Sequence, residues 1–181
     1  MINYERDVRM PALPYIALTI LTVFSLNIAP VAFAGLVDNQ NGSLTDSDTG
    51  LVWQKNDSFH ELKKGLNWYE ALEYISKKNS EKFSGHDDWR LPTLEELNNL
   101  WVSSGKVKSK DAETLGLPSG FANGGSYYLW SGVERGLDHA WYFGLGNKEN
   151  YFNLKDLADM EQGVKMVYSI RRRAIDSDTL P

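Results

Sequence analysis

The chain has 181 residues, of which 42% are hydrophobic and 12% aromatic, enough for one domain with its own core and polar enough for aqueous surroundings. Its net charge of -5, with basic residues scattered until Arg171, Arg172 and Arg173, excludes the broad cationic stripe that nucleic acid requires. The absence of cysteine excludes a lipidated N-terminal cysteine, a disulfide framework, thiolate metal sites and any thiol nucleophile.

Residues Met10 to Val37 carry no charge, and Tyr15 to Phe24 are almost wholly apolar behind Arg6 and Arg9. Ala32 and Ala34 supply small residues at minus three and minus one, so residues 1–34 read as a signal peptide cleaved before Gly35. The competing reading is an uncleaved anchor over Ala12 to Ala34, which Asn27 and Pro30 weaken as a span. Export to a periplasmic or extracellular space is expected, with membrane contact only through that segment.

Turn chemistry at Asn41-Gly42 and Asp48-Thr49-Gly50 brackets Leu44 to Asp46 and Leu51 to Lys55, predicting an early hairpin. The stretch Asp57 to Gly65 is assigned no element. Asn67 with Glu70 forms a capping box, predicting a helix with Trp68, Ala71, Leu72 and Ile75 on its core stripe and Glu70, Glu73, Lys77 and Lys78 toward water. Gly85 to Asp88 form a polar turn before Trp89. Pro92 holds Leu91 extended, and Thr93 with Glu96 repeats the capping box for a helix carrying Leu94, Leu97, Leu100 and Trp101.

Val102 to Ser126 shows no sustained period. It reads as a long surface excursion with at most a helical turn over Ala112 to Leu117, and as a candidate site region by virtue of its length. Three antiparallel strands are predicted at Tyr127 to Ser131, Ala140 to Leu145 and Asn150 to Leu154. A last strand covers Val164 to Arg173, with Val164, Met166, Tyr168 and Ile170 opposed to Lys165, Val167, Ser169 and Arg171. The remainder, residues 175–181, reads as a flexible tail.

TGLVWQK (residues 49–55), NWYEAL (67–72), GHDDWRLPTLEEL (85–97), YLWSG (128–132) and AWYFGLG (140–146) together resemble the Lcl C-terminal domain family, over most of Asn41 to Arg173. The resemblance implies an α+β, C-type lectin-like domain over residues 35–174, with two helices on antiparallel sheets, paired N- and C-terminal strands and a long loop region. The family ends on an arginine, two residues and a second arginine. Here Arg171 is followed by Arg172, Arg173 and Ala174, so only Arg171 carries over. Formylglycine-generating enzymes share the fold class but work through cysteines that this chain lacks.

The functional candidates are few. Trp89 and Arg90 read as a core tryptophan and a paired arginine, with Glu95, Glu96 or carbonyls as partners, rather than as a ligand platform. His60, His86 and His139 lack metal spacing and read as solvent-exposed. Asp156, Asp159 and Glu161 read as a solvated acidic loop rather than a calcium site, and no catalytic residue, metal or cofactor is assigned. A binding face is expected where the long loop meets the strands. Its residues would be Trp130, Tyr142, Asn147, Lys148, Asn150, Tyr151 and Arg171, contacting a glycan, an envelope polymer or a protein. A structural or assembly role in a bacterial envelope is the alternative, and a cryptic enzyme would require a cluster of perturbed titratable groups in a cleft.

Overall fold

Strands β1 (Leu36–Asp38), β2 (Ser43–Asp46) and β3 (Leu51–Gln54) open the domain as an antiparallel meander, in a computed structural model that describes residues 35–170. Asn41 Oδ1 accepts from the Ser43 amide, and Asp46 Oδ1 accepts from the amides of Asp48 and Thr49, while Gly42 and Gly50 take positive φ of 92° and 71°. These are the two expected turns. The preceding strand β1 was hidden by its polar, turn-rich flank. Strand β9 (Val167–Ser169) lies antiparallel to β3, giving the order β1-β2-β3-β9. The terminal strands therefore share a sheet, but the partner of β9 is β3 and not the N-terminal β1.

Three helices rather than two stand among the described residues. Helix α1 (Ser58–Leu62) falls in the stretch without assignment; Asp57 caps it by accepting from the Phe59 amide at 3.1 Å. Helix α2 (Trp68–Ser80) starts at Asn67, whose Oδ1 accepts from the Glu70 amide while Glu70 accepts from the Asn67 amide. Its buried stripe is Trp68, Ala71, Tyr74, Ile75 and Lys78, whereas Leu72 stands 40% exposed. Lys78 is thus turned inward, held 2.7 Å from Glu61, and Leu72 outward, the reverse of expectation for both. Helix α3 (Leu94–Leu100) follows the Thr93–Glu96 capping box as predicted.

The second sheet is β6 (Tyr128–Arg135), β7 (His139–Gly144) and β8 (Glu149–Leu154), antiparallel in that order, with a bulge in β6 between Trp130 and Glu134. Alternate residues of its strands feed two separate clusters. Trp130, Ala140 and Tyr142 join Val52, Trp68, Ala71, Trp89, Leu91 and Met166; Leu129, Phe143 and Leu145 join Leu44, Trp53, Leu97, Leu100 and Val167. Strand β3 gives Val52 to the first cluster and Trp53 to the second, so it is buried on both faces.

The excursion from Val102 to Ser126 is exposed over much of its length but is also anchored in the core. It carries a two-residue hairpin, β4 (Val107–Lys108) with β5 (Thr114–Leu115), where a helical turn was expected. Val107, Leu115, Leu117 and Phe121 are buried in the second cluster. Close packing explains its glycine at 116, since a Cβ there would fall 2.0 Å from the Trp101 indole nitrogen. The last segment also departs from simple alternation: Val164 through Tyr168 are all buried, Lys165 included, and regular pairing covers only three residues. Its end at Arg171 to Arg173, the signal or anchor segment and the C-terminal tail lie outside the described residues.

Candidate functional site

The seven expected site residues do not form one face. Trp130 is 0% exposed and donates its indole N–H to the Leu66 carbonyl at 2.7 Å; Tyr142 is 5% exposed beside it. Both are corrected to core. Half-buried Tyr151 stacks on Tyr142, with ring centres 5.4 Å apart, and bonds Asn147 and Glu149 through its hydroxyl. Lys148, at φ 62°, holds its ammonium 5.1 Å from the Trp101 ring centre. Asn147, Lys148 and Tyr151 thus gather at the β7–β8 turn, whereas Asn150 points from the other face of β8 toward Asn98. Arg171 lies outside the described residues.

A groove of about 660 Å³ opens elsewhere, built largely from the WRLPT stretch. The α2 capping box sets Trp68 in the first turn, where its indole donates to the Ser131 carbonyl of β6 at 3.0 Å and Leu72 follows one turn on. Arg90 is held by reciprocal backbone bonds with Val167 at 3.0 Å, and the Pro92 carbonyl accepts from the Gly132 amide of β6 at 2.8 Å. These bonds place Leu91, Thr93 and Glu96 along one wall and Gly132 and Glu134 along the other.

Arg90 is paired as expected. Its two terminal nitrogens fork onto the Glu96 carboxylate at 2.6 and 2.8 Å, and one also donates to the Leu91 carbonyl. The Glu96 contact raises the Arg90 pKa against the effect of burial. Burial alone would raise that of Glu96, but the guanidinium and the Thr93 amide outweigh it and hold the carboxyl below its ordinary range. Across the groove Glu134 bonds the buried Lys155 ammonium, which also donates to the Leu137 carbonyl.

A second cluster lies around a cleft of about 200 Å³ lined by Gln54, Asp57, His60, Glu61 and Tyr74. Asp57 accepts from the Ser126 amide at 2.6 Å and sits 2.8 Å from His60 Nδ1, while His60 Nε2 faces the Asn123 carbonyl at 2.9 Å. His60 Nδ1 can meet Asp57 in two ways: protonated, it donates to the carboxylate, and in the neutral Nε2–H form it accepts from the Asp57 amide at 3.2 Å, completing a capping box. The Asp57 bond raises the His60 pKa accordingly. Burial pushes Lys165 down to about 8, partly opposed by the Asp57 charge, and pushes the Tyr74 hydroxyl up. His60 is therefore not the solvent-exposed histidine expected, and His86 likewise stacks on Tyr168 at 4.2 Å.

This latch has a measurable pH signature. His60 is raised in the folded state, so its stabilising contribution is full below the unfolded value near 6.5 and disappears as pH rises through the folded value. The expected result is a melting temperature that falls as pH rises above about 6.5. His60→Gln should flatten that slope, and an unchanged slope in the variant would remove His60 as its cause.

Neither groove nor latch was read from the sequence as a site. The capping residues Thr93 and Glu96 and the pair Arg90–Glu96 were legible, but nothing local indicated that Gly132 and Glu134 would face them. Among the described residues, no group of three or more His, Asp or Glu side chains is placed to hold a metal ion, and no helix is long and apolar enough to cross a membrane. Glu161 of the acidic loop pairs with Lys110 at 2.7 Å, and Asp159 accepts from Asn153 at 2.7 Å.

The described fold is α+β, with helices packed on antiparallel sheets, and Arg90, Leu91 and Thr93 of the WRLPT stretch wall a groove of about 660 Å³. The chain belongs to the Lcl C-terminal domain family, whose family model matches residues 42–167. No curated protein and no solved structure matches the chain.

Proposed function

We propose that the protein is an exported, non-enzymatic, lectin-like binding domain that takes a glycan, or a polymer of the envelope, into the groove between α2, the WRLPT stretch and β6. The groove carries this reading. It has the size of a small-ligand site, an apolar floor of Trp68 and Leu91, and polar groups fixed by capping and ion pairing before any ligand arrives. A C-type lectin-like architecture is part of the proposal, supported by the family resemblance and by β9 closing onto β3 in the sheet that starts the domain. Export rests on the sequence of residues 1–34.

The titratable cluster at Asp57, His60 and Lys165 is the arrangement an enzyme reading requires, and its atoms argue against that use. Both nitrogens of His60 are engaged by Asp57 and Asn123. Lys165 is 2% exposed with its ammonium directed to the carbonyls of Gln54 and Lys55, and the Asp57 carboxylate caps α1 and binds the Ser126 amide. None of these three groups is left free at the cleft to act on a substrate as acid or base.

A protein-contact role in the envelope has its own support in the exposed end of the second sheet, where Leu137 is 88% and Phe152 44% exposed and the Arg135 guanidinium lies 3.7 Å from the Phe152 ring centre. The two readings separate in one sedimentation assay on insoluble envelope polysaccharide. The purified protein should co-sediment, and Leu72→Trp, which fills the groove from an exposed helix position, should abolish retention without changing the melting temperature. Retention indifferent to Leu72→Trp but lost in Phe152→Ala would transfer the function to the exposed sheet.

A further inference from the structure

We infer that the ligand of this groove is an uncharged, hydroxyl-rich saccharide rather than an ionic polymer, an inference that rests on the binding role proposed above. The charged side chains lining the groove are Arg90, Glu96 and Glu134. Each is already matched: Arg90 forks onto Glu96 at 2.6 and 2.8 Å, and Glu134 holds the Lys155 ammonium. Among the described residues the groove consequently offers no unbalanced charge. A carboxylate or sulfate approaching Arg90 also approaches Glu96 and Glu134, and an amine approaching the carboxylates also approaches Arg90. In either case an ionic ligand meets a charge of its own sign beside the one that attracts it, so the net attraction is small while the ligand still loses its hydration.

What remains unspent is hydrogen-bonding capacity of both kinds. Arg90 has five N–H donors, of which three are used, on Glu96 twice and on the Leu91 carbonyl once. Glu96 accepts from Arg90 at both oxygens and from the Thr93 amide at one, which leaves acceptor capacity on the other. A fixed donor edge beside a fixed acceptor matches adjacent hydroxyls, which donate and accept together, whereas a deprotonated acid only accepts and an ammonium only donates. The apolar floor of Trp68 and Leu91 supplies the counterpart for the C–H face of a sugar ring.

Leu72 provides the test, because it lines the groove from the outward side of α2 and tolerates a charge of either sign. Binding of the full-length protein, Leu72→Arg and Leu72→Glu is measured on immobilised cello-, chito- and mannooligosaccharides and, in parallel, on polygalacturonate and chondroitin sulfate. The expected result is binding to an uncharged probe that changes less than about twofold between 50 and 500 mM NaCl, and that both variants weaken by about tenfold. Binding confined to the acidic probes, steeply salt-dependent, strengthened by Leu72→Arg and weakened by Leu72→Glu, overturns the uncharged ligand while leaving the groove as the site. Binding that neither variant alters, or no binding to any probe, overturns the groove reading itself.

Discussion

Trp89→Ala should unfold the domain, or leave it destabilised by about 3–5 kcal/mol. Trp89 is 2% exposed, packs edge-on to Tyr168 with ring centres 4.7 Å apart, and tilts against Phe83 at 5.5 Å. Its indole donates to the Phe83 carbonyl at 2.9 Å. Asn79 clamps its backbone from both sides, accepting from the Trp89 amide and donating to the Trp89 carbonyl, each at 2.9 Å. Truncation therefore opens a cavity at the junction of α2, the 3-10 turn at Phe83–Gly85 and β9. Urea unfolding followed by near-ultraviolet circular dichroism gives the measurement. A variant with native stability but no ligand binding would make Trp89 a site residue and not the anchor of the fold.

The second large effect is expected from Asp57→Ala. The carboxylate caps α1, accepts from the Ser126 amide at the end of the 102–126 segment, and is a counter-charge to the buried Lys165. Burial opposes its ionisation, but His60, Lys165 and Ser126 outweigh that and keep its pKa below normal. Its contribution is thus present above the unfolded carboxyl value and is lost only as pH falls through the folded one. Removing it near pH 7 leaves an uncompensated buried ammonium and an unsatisfied amide, and the loss should reach about 3–5 kcal/mol. Because Lys165 titrates near 8 with Asp57 in place and lower without it, the charge part of the deficit should shrink as pH rises toward 8 and be gone above it. Adding Lys165→Met to Asp57→Ala should recover much of it at pH 7. A deficit independent of pH, with no recovery in the double variant, would mean that the cap and the Ser126 bond account for the whole effect.

Local signals were read well where local chemistry decides. Asn67 with Glu70 and Thr93 with Glu96 are capping pairs three residues apart, and both helices start at them. Asn41-Gly42 and Asp46 to Gly50 make their turns through their own side chains. Signals failed where the same chemistry had a less usual residue in it. Asp57 and His60 also form a capping box, but histidine at its third position is not the glutamate or glutamine that marks one, and α1 went unassigned. Burial was misjudged in one direction wherever an element is covered on both faces. Lys165 alternates with apolar neighbours as an outward residue should, yet Phe121, from the segment read as surface loop, lies 4.6 Å from its ammonium.

The candidate site shows the same division. Each wall of the groove was visible by itself: the Trp68 helix, the extended Leu91-Pro92, the Arg90–Glu96 pair. Their meeting was not, because it depends on the Pro92 carbonyl bonding Gly132 and the Trp68 indole bonding Ser131, contacts between residues 40 and 63 positions apart. Trp130, Tyr142 and Tyr151 were expected on one binding face, while strand alternation divides the aromatic residues of β6, β7 and β8 between two faces. Alternation could not say which half was which, because the register and the burial of the two faces are set by the strands' partners. It turned Trp130 and Tyr142 inward and left Phe152 exposed.

By itself the sequence determined the family, the starts of α2 and α3, the principal turns and the strand-rich last third, all carried by interactions spanning a few residues. The tertiary structure alone decided that Gly85 to Trp101 both anchors the core through Trp89 and walls a groove through Arg90, Thr93 and Glu96. It also decided that the 102–126 segment buries Val107, Leu115, Leu117 and Phe121 and that Asp57, His60 and Lys165 meet. Those outcomes depend on which distant backbone groups satisfy one another and on which faces are covered twice, and no short stretch of sequence encodes either.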